Sequence, residues 1–224
     1  MSIFTLKIIA CAAMALSHFG SVFMGVIPFS VAQGFYLAGR ISFPIFAYLL
    51  VQGWNNTKYK KRYLRNLILF ALLSQIPFTL AQYNTIAPVS FNVLFTLFLG
   101  ALCLWAIDRV RAGDSRALFL VPAVVCLAAC IQLDFGWLGV LTISVMGLFR
   151  LSYIRIGILT AGMAIIYLQG GGSLFTILSF LSTLPGIVML LFLNPQKPCI
   201  RAKYFFYAFY PTHLLLLYVL SLDF

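Results

Sequence analysis

The sequence predicts an all-α, polytopic integral membrane protein of about nine transmembrane helices, N-terminus cytoplasmic and C-terminus outside. Composition is the first reason: 63% of the 224 residues are hydrophobic and 8% are charged, the balance of a chain immersed in lipid. Spacing is the second. A span takes about 20 apolar residues, and apolar stretches at 6–27, 31–53, 66–82, 91–107, 117–133, 136–149, 154–168, 174–193 and 203–222 use up most of the length. Charge is the third: fourteen of the fifteen Lys and Arg fall at the same end of these stretches, and the other, Arg40, stands inside one.

Lys7 marks the entrance of the first stretch, and the apolar run continues from there to Ile27. Ala13-Met14-Ala15 resembles a cleavage site and Ile8-Ile9-Ala10-Cys11 a lipobox. The apolar run between Lys7 and Cys11 is too short for a signal h-region, so the segment reads as span one. The loop after span two carries Lys58, Lys60, Lys61, Arg62 and Arg65. Arg109, Arg111 and Arg116 follow span four, Arg150 and Arg155 flank the sixth turnaround, and Lys197, Arg201 and Lys203 precede the last span. The alternate loops, around 28–34, 83–90, 134–135 and 169–173, have no Lys or Arg, which sets the orientation by the positive-inside rule. Spans six and seven are short enough to tilt or re-enter. With no room for a soluble domain, residues 1–224 read as a single transmembrane domain.

A net charge of +11 suggests nucleic acid in a soluble protein, but here it is spread over short loops beside anionic headgroups, and no nucleic-acid partner is expected. The cluster from Lys58 to Arg65 anchors topology and is a candidate for holding phosphate. Cys11, Cys103, Cys126 and Cys130 lie in spans and Cys199 in a loop, so no disulfide framework and no metal site is expected. Gly170-Gly171-Gly172 is a flexible turn without the Lys-Ser/Thr of a phosphate loop.

Chemistry inside the apolar region falls to few residues. The acids are Asp108, Asp114, Asp134 and Asp223, and none is deep in a span, which excludes a carboxylate relay. Arg40 therefore lacks an acid at its own depth. Pro44 cannot donate to the Arg40 carbonyl, so irregular backbone lining a cavity is expected there. His18 and His213 are the only histidines. On the spans above, His18 and Arg40 both sit roughly 14 Å from the outer side, close enough in depth for adjacent helices to join them. In an acid-free interior histidine is the plausible general base.

Leu6 through Met14 to Ser17-His18-Phe19-Gly20, and Ala38-Gly39-Arg40-Ile41-Ser42-Phe43-Pro44-Ile45-Phe46, resemble the TraX family of membrane acetylases, associated with F-pilin acetylation and fimbrial operons. The resemblance continues through Ser74-Gln75-Ile76-Pro77-Phe78, Asn92-Val93-Leu94-Phe95, Asp134-Phe135-Gly136-Trp137 and Phe209-Tyr210-Pro211-Thr212-His213, nearly the whole chain. It implies a bacterial inner-membrane enzyme that takes acetyl-CoA as donor and acetylates a membrane-presented acceptor such as a pilin N-terminus. It assigns catalytic roles to His18, Arg40 and His213 and a substrate-binding role to Asn92. Phosphate binding would fall to Lys58, Lys60, Lys61, Arg62 and Arg65. One departure stands out: the family has an acid before the first histidine, and this chain has Ser17.

Other classes fit less well. A transporter would use Arg40 for an anion, but the chain has no internal pseudo-symmetry and no coupling carboxylate. A haem held by His18 and His213 would show a Soret band. An intramembrane serine protease would need a Gly-x-Ser-type nucleophile within a span and facing a histidine, and none of the predicted spans carries one. The strongest rival is a non-catalytic fimbrial assembly protein, a reading that Ser17 favours.

Overall fold

The computed structural model describes residues 1–169, 171–194 and 203–223, with side chains of the last segment from Phe205 on. Lys197, Cys199, Arg201, the Lys203 side chain and Gly170 lie outside the described residues. The described chain is helical: α1 (Ile3–Val22), α2 (Phe29–Ala38), α3 (Ser42–Asn56), α4 (Lys60–Tyr83), α5 (Val93–Arg111), α6 (Leu120–Cys130), α7 (Gly136–Leu148), α8 (Ser152–Leu168), α9 (Leu174–Leu181), α10 (Leu184–Leu191) and α11 (Lys203–Ser221). Among the described residues the sole β pairing is an isolated bridge between Phe91 and Leu133. Five helical segments are long and apolar enough to cross a bilayer: Ile3–Val22, Phe29–Asn56, Lys60–Tyr83, Val93–Arg111 and Leu174–Leu191. Four shorter apolar helices complete the set, Ser115–Cys130, Gly136–Leu148, Ser152–Leu168 and Phe205–Ser221. The molecule is a multi-pass membrane protein.

The chain forms two compact units. One comprises 1–46, 73–88 and 167–224, the other 47–72 and 89–166.

In the first unit α1 starts at Ser2, whose hydroxyl accepts the Thr5 N–H at 3.1 Å. It ends at Val22, short of the Ile27 end read from the sequence. Apolarity does not distinguish helix from turn, and Pro28, which caps α2, disfavours helix in the residue before it. His18 is thus four residues from its helix end instead of ten. The antiparallel packing of α1 on α2 nevertheless brings the expected levels together: the Ser17 hydroxyl donates to the Tyr36 carbonyl at 3.3 Å, and Gly39 abuts Ser17 and Ala13 so closely that a Cβ there would stand 2.7 Å from the Ala13 carbonyl oxygen.

Two long spans of this unit are broken. Between α2 and α3 a 3-10 turn, Gly39–Ile41, carries Arg40. Pro44 lacks the N–H that the Arg40 carbonyl would otherwise receive. The span 174–191 is divided into α9 and α10 ahead of Pro185, with the Thr183 hydroxyl turned back onto the Phe180 carbonyl at 2.7 Å. The first turn of α10 abuts the other break: a Cβ on Gly186 would meet the Ile41 carbonyl oxygen at 2.7 Å. Helix α11 packs along α1, with Phe206 edge-on to Phe4 at 5.8 Å and beneath the Lys7 ammonium at 5.1 Å.

The second unit is centred on α5, whose Leu99 and Cys103 are buried against Val124, Ala128, Leu133 and Val140. Asn92, fully buried, caps α5 by accepting the Leu94 N–H at 3.0 Å, and its amide donates to the Ala71 carbonyl at 2.9 Å.

Candidate functional site

Helix α11 runs through Pro211 and presents His213 to α1. His213 Nδ1 lies 2.7 Å from the Phe209 carbonyl oxygen, and its Nε2 lies 2.8 Å from His18 Nδ1. A carbonyl only accepts, so His213 carries its proton on Nδ1 and its Nε2 is an acceptor. His18 must then hold its proton on Nδ1 and donate it to His213, leaving His18 Nε2 as the lone pair of the neutral pair. The rings are inclined by only 17° with centroids 5.1 Å apart, the separation of an in-plane N–H···N bond, not of face stacking. Phe209 lies nearly parallel to His213 at 4.8 Å, and Tyr210 stands edge-on to both imidazoles. His213 is 8% exposed, so the pair is locked in an aromatic setting.

Arg40 lies within Coulombic range of His18. Its guanidinium rests 3.7 Å from the Tyr36 ring centroid and donates from Nη1 to the Tyr167 hydroxyl at 3.3 Å. Nε is buried without a hydrogen-bond partner, and Arg40 makes no ion pair among the described residues. The cation is held by π faces with a donor left over.

In the second unit a cavity of about 1440 Å³ is lined by Lys58, Lys60, Lys61, Arg62, Arg65, Arg109, Arg111, Arg150 and Arg155 against one carboxylate, Asp108. Trp54 donates to Asp108 at 2.9 Å and Lys60 pairs with it. Arg111 and Arg155 are steadied by the Leu148 and Phe149 carbonyls at 2.8 and 2.7 Å. At the rim Arg109 donates twice to Asp114, at 2.7 and 3.1 Å, which holds the Asp114 carboxyl below the ordinary carboxylate range.

The family model described as "TraX protein" matches residues 2–221. The chain belongs to the TraX family. A relative from Dichelobacter nodosus, named "Probable fimbrial assembly protein FimC, serogroup H1", is 26% identical over 238 residues, covering 96% of this chain and 94% of the relative. No solved structure matches the chain.

For a TraX protein, then, three of the residues singled out by sequence, His18, Arg40 and His213, share the first unit. Asn92 is in the second, with both ends of its amide engaged in capping and packing. Lys58 and the first turns of α4, which carry Lys60, Lys61, Arg62 and Arg65 on a helix where the sequence suggested a loop, line one cavity as a group. Sequence reading gave Arg109, Arg111, Arg150 and Arg155 to topology alone; the signal that they belong with that loop was their position at the same ends of the spans. Ser17 faces Tyr36 and Gly39, and its hydroxyl is committed to the Tyr36 carbonyl.

Proposed function

We propose that this TraX protein is a membrane acyltransferase that moves an acetyl group from acetyl-CoA to the amine of a membrane-presented acceptor, such as a fimbrial subunit N-terminus. The His18–His213 pair carries the reading. In the proposed step the acceptor nitrogen attacks the thioester carbonyl carbon while His18 Nε2 takes its proton. The carbon–sulfur bond then breaks, and the departing thiolate receives a proton from His18. His213, fixed by the Phe209 carbonyl, orients His18 and shares the charge of the imidazolium, the work an acid at position 17 would do elsewhere in the family. Arg40 would stabilise the oxyanion. The basic cavity would receive the phosphates of the coenzyme, where charge-assisted bonds are strongest. The charge pattern supports an inner-membrane placement with the basic ends cytoplasmic.

A second reading, a non-catalytic assembly protein, is favoured by Ser17 and by the name of the Dichelobacter relative. The test is the intact mass of the native fimbrial subunit, with surface glycans alongside, from wild-type, deleted and His18→Ala cells. An acetyl increment in wild type alone supports the enzyme. Equal masses with fimbriae lost on deletion leave the assembly role.

A further inference from the structure

Gln82 stands at the C-terminal end of α4 and Ser21 at that of α1, both beside loops without Lys or Arg. The Ser21 hydroxyl donates to Gln82 Oε1 at 2.7 Å. That bond occupies the amide oxygen and turns the amino group away from Ser21. Gln82 Nε2 is shut off from solvent and has no hydrogen-bond partner. Buried donors are rarely left so in native proteins, and one that is asks for a missing partner. Ser21 follows His18 by three positions, one helical turn, or about 5–6 Å between Cβ atoms. On the other side, the Arg40 turn packs against Ser17, and Arg40 Nε is in the same condition. Gln82 is thus tied to α1 one turn from His18, and it and Arg40 each carry in this unit a buried donor that lacks an oxygen acceptor.

We infer that Gln82 is a substrate-binding residue whose Nε2–H groups donate to a main-chain carbonyl oxygen of a peptide acceptor, with Ser21 as its positioning residue. The inference rests on the acyl-transfer reading for the fate of the amine at His18. A carboxamide donor facing a carbonyl reproduces peptide pairing. The one-turn separation of His18 and Ser21 is the reach of one to two residues of extended chain, at 3.8 Å per Cα step, so in this proposal the terminal amine stands at His18 while Gln82 holds a nearby carbonyl beside Ser21.

The experiment compares wild type, Gln82→Leu and Ser21→Ala in detergent with acetyl-CoA and two amines, alanyl-leucyl-alanine amide and hexylamine. Gln82→Leu should raise KM for the peptide about tenfold, leave kcat within about twofold, and leave hexylamine acetylation unchanged; Ser21→Ala should do the same more weakly. An equal effect on both amines overturns the inference. Unfolding temperature decides independently of activity. Without peptide, Gln82→Leu should be at least as stable as wild type, since it removes unpaired buried donors; a lower temperature marks Gln82 as structural and overturns the inference. If wild type acetylates neither amine, the acyl-transfer reading fails. The carbonyl site then stands if the peptide raises the unfolding temperature of wild type but not of Gln82→Leu, and falls if it raises neither.

Discussion

The histidine pair of the first unit and the basic cavity of the second treat water in opposite ways. In the first, each proton is assigned by a neighbour: the Phe209 carbonyl fixes His213, and His213 fixes His18. Geometry there is specific, and the loss of one partner leaves the other wrongly oriented. In the second, Lys58, Lys61, Arg62 and Arg65 are exposed and act as a field, in which no single charge is decisive and salt competes with all of them. A directional site should fail abruptly on mutation. A field should fail by degrees.

The largest expected effect tests the first half of that contrast. His18→Ala should reduce acetyl transfer at least about 100-fold, His213→Ala nearly as far, and the double variant no further than His18→Ala alone. Additive losses in single-turnover rates would mean that the two rings do not act as one. Next is Gly39→Ala, whose new methyl runs into Ser17 and the Ala13 carbonyl. Overpacking of this kind costs about 1–3 kcal/mol, so the unfolding temperature should fall and transfer should fall with it as the Arg40 turn shifts from His18. A variant of full stability and activity would show that the close packing is dispensable.

The cavity should respond more gently. Lys61→Ala and Arg65→Ala should each raise KM for acetyl-CoA about threefold to tenfold with kcat unchanged, and added salt should do the same to wild type. Loss of kcat with KM constant would break the comparison from this side. Smaller still is Ser17→Ala, which removes one hydrogen bond to Tyr36, about 1 kcal/mol, and should leave transfer within about twofold. A collapse of activity would return Ser17 to the chemistry. The smallest effect concerns Asp114. Its folded carboxyl titrates below its unfolded value of about 3.9, so its contribution is complete above that pH and is lost as pH falls through the folded value. The gap in unfolding temperature between wild type and Asp114→Asn should be constant from about pH 5 to 8 and close below about pH 4; a gap that changes near neutrality would refute the assignment.

Hydropathy and charge made much of the fold legible, because the bilayer imposes a length on every span. Pro44 also announced the break at Arg40. The end of α1 was not legible, since Phe23 to Ile27 is as apolar as the helix before it. His18 and His213 shared a property, ionisable groups in an apolar run, but their bond joins residues 195 apart and nothing local encodes it. Gln82 went unnoticed for a simpler reason: a neutral amide near a span end carries no charge signal, and only the bond that uses its oxygen exposes the idle nitrogen.

The contact between the Gly39–Ile41 turn and Gly186, in the first turn of α10, bears on how the protein is made. Helices α9 and α10 have eight residues each, about 12 Å apiece, well short of a hydrocarbon layer about 30 Å thick. Neither half spans alone, although segment 174–191 as a whole is long and apolar enough to cross a bilayer. The Gly39–Ile41 turn, against which Gly186 packs, is synthesised much earlier. Segment 174–191 therefore emerges when the turn it packs on is already in place, which makes its docking there a late step of biogenesis.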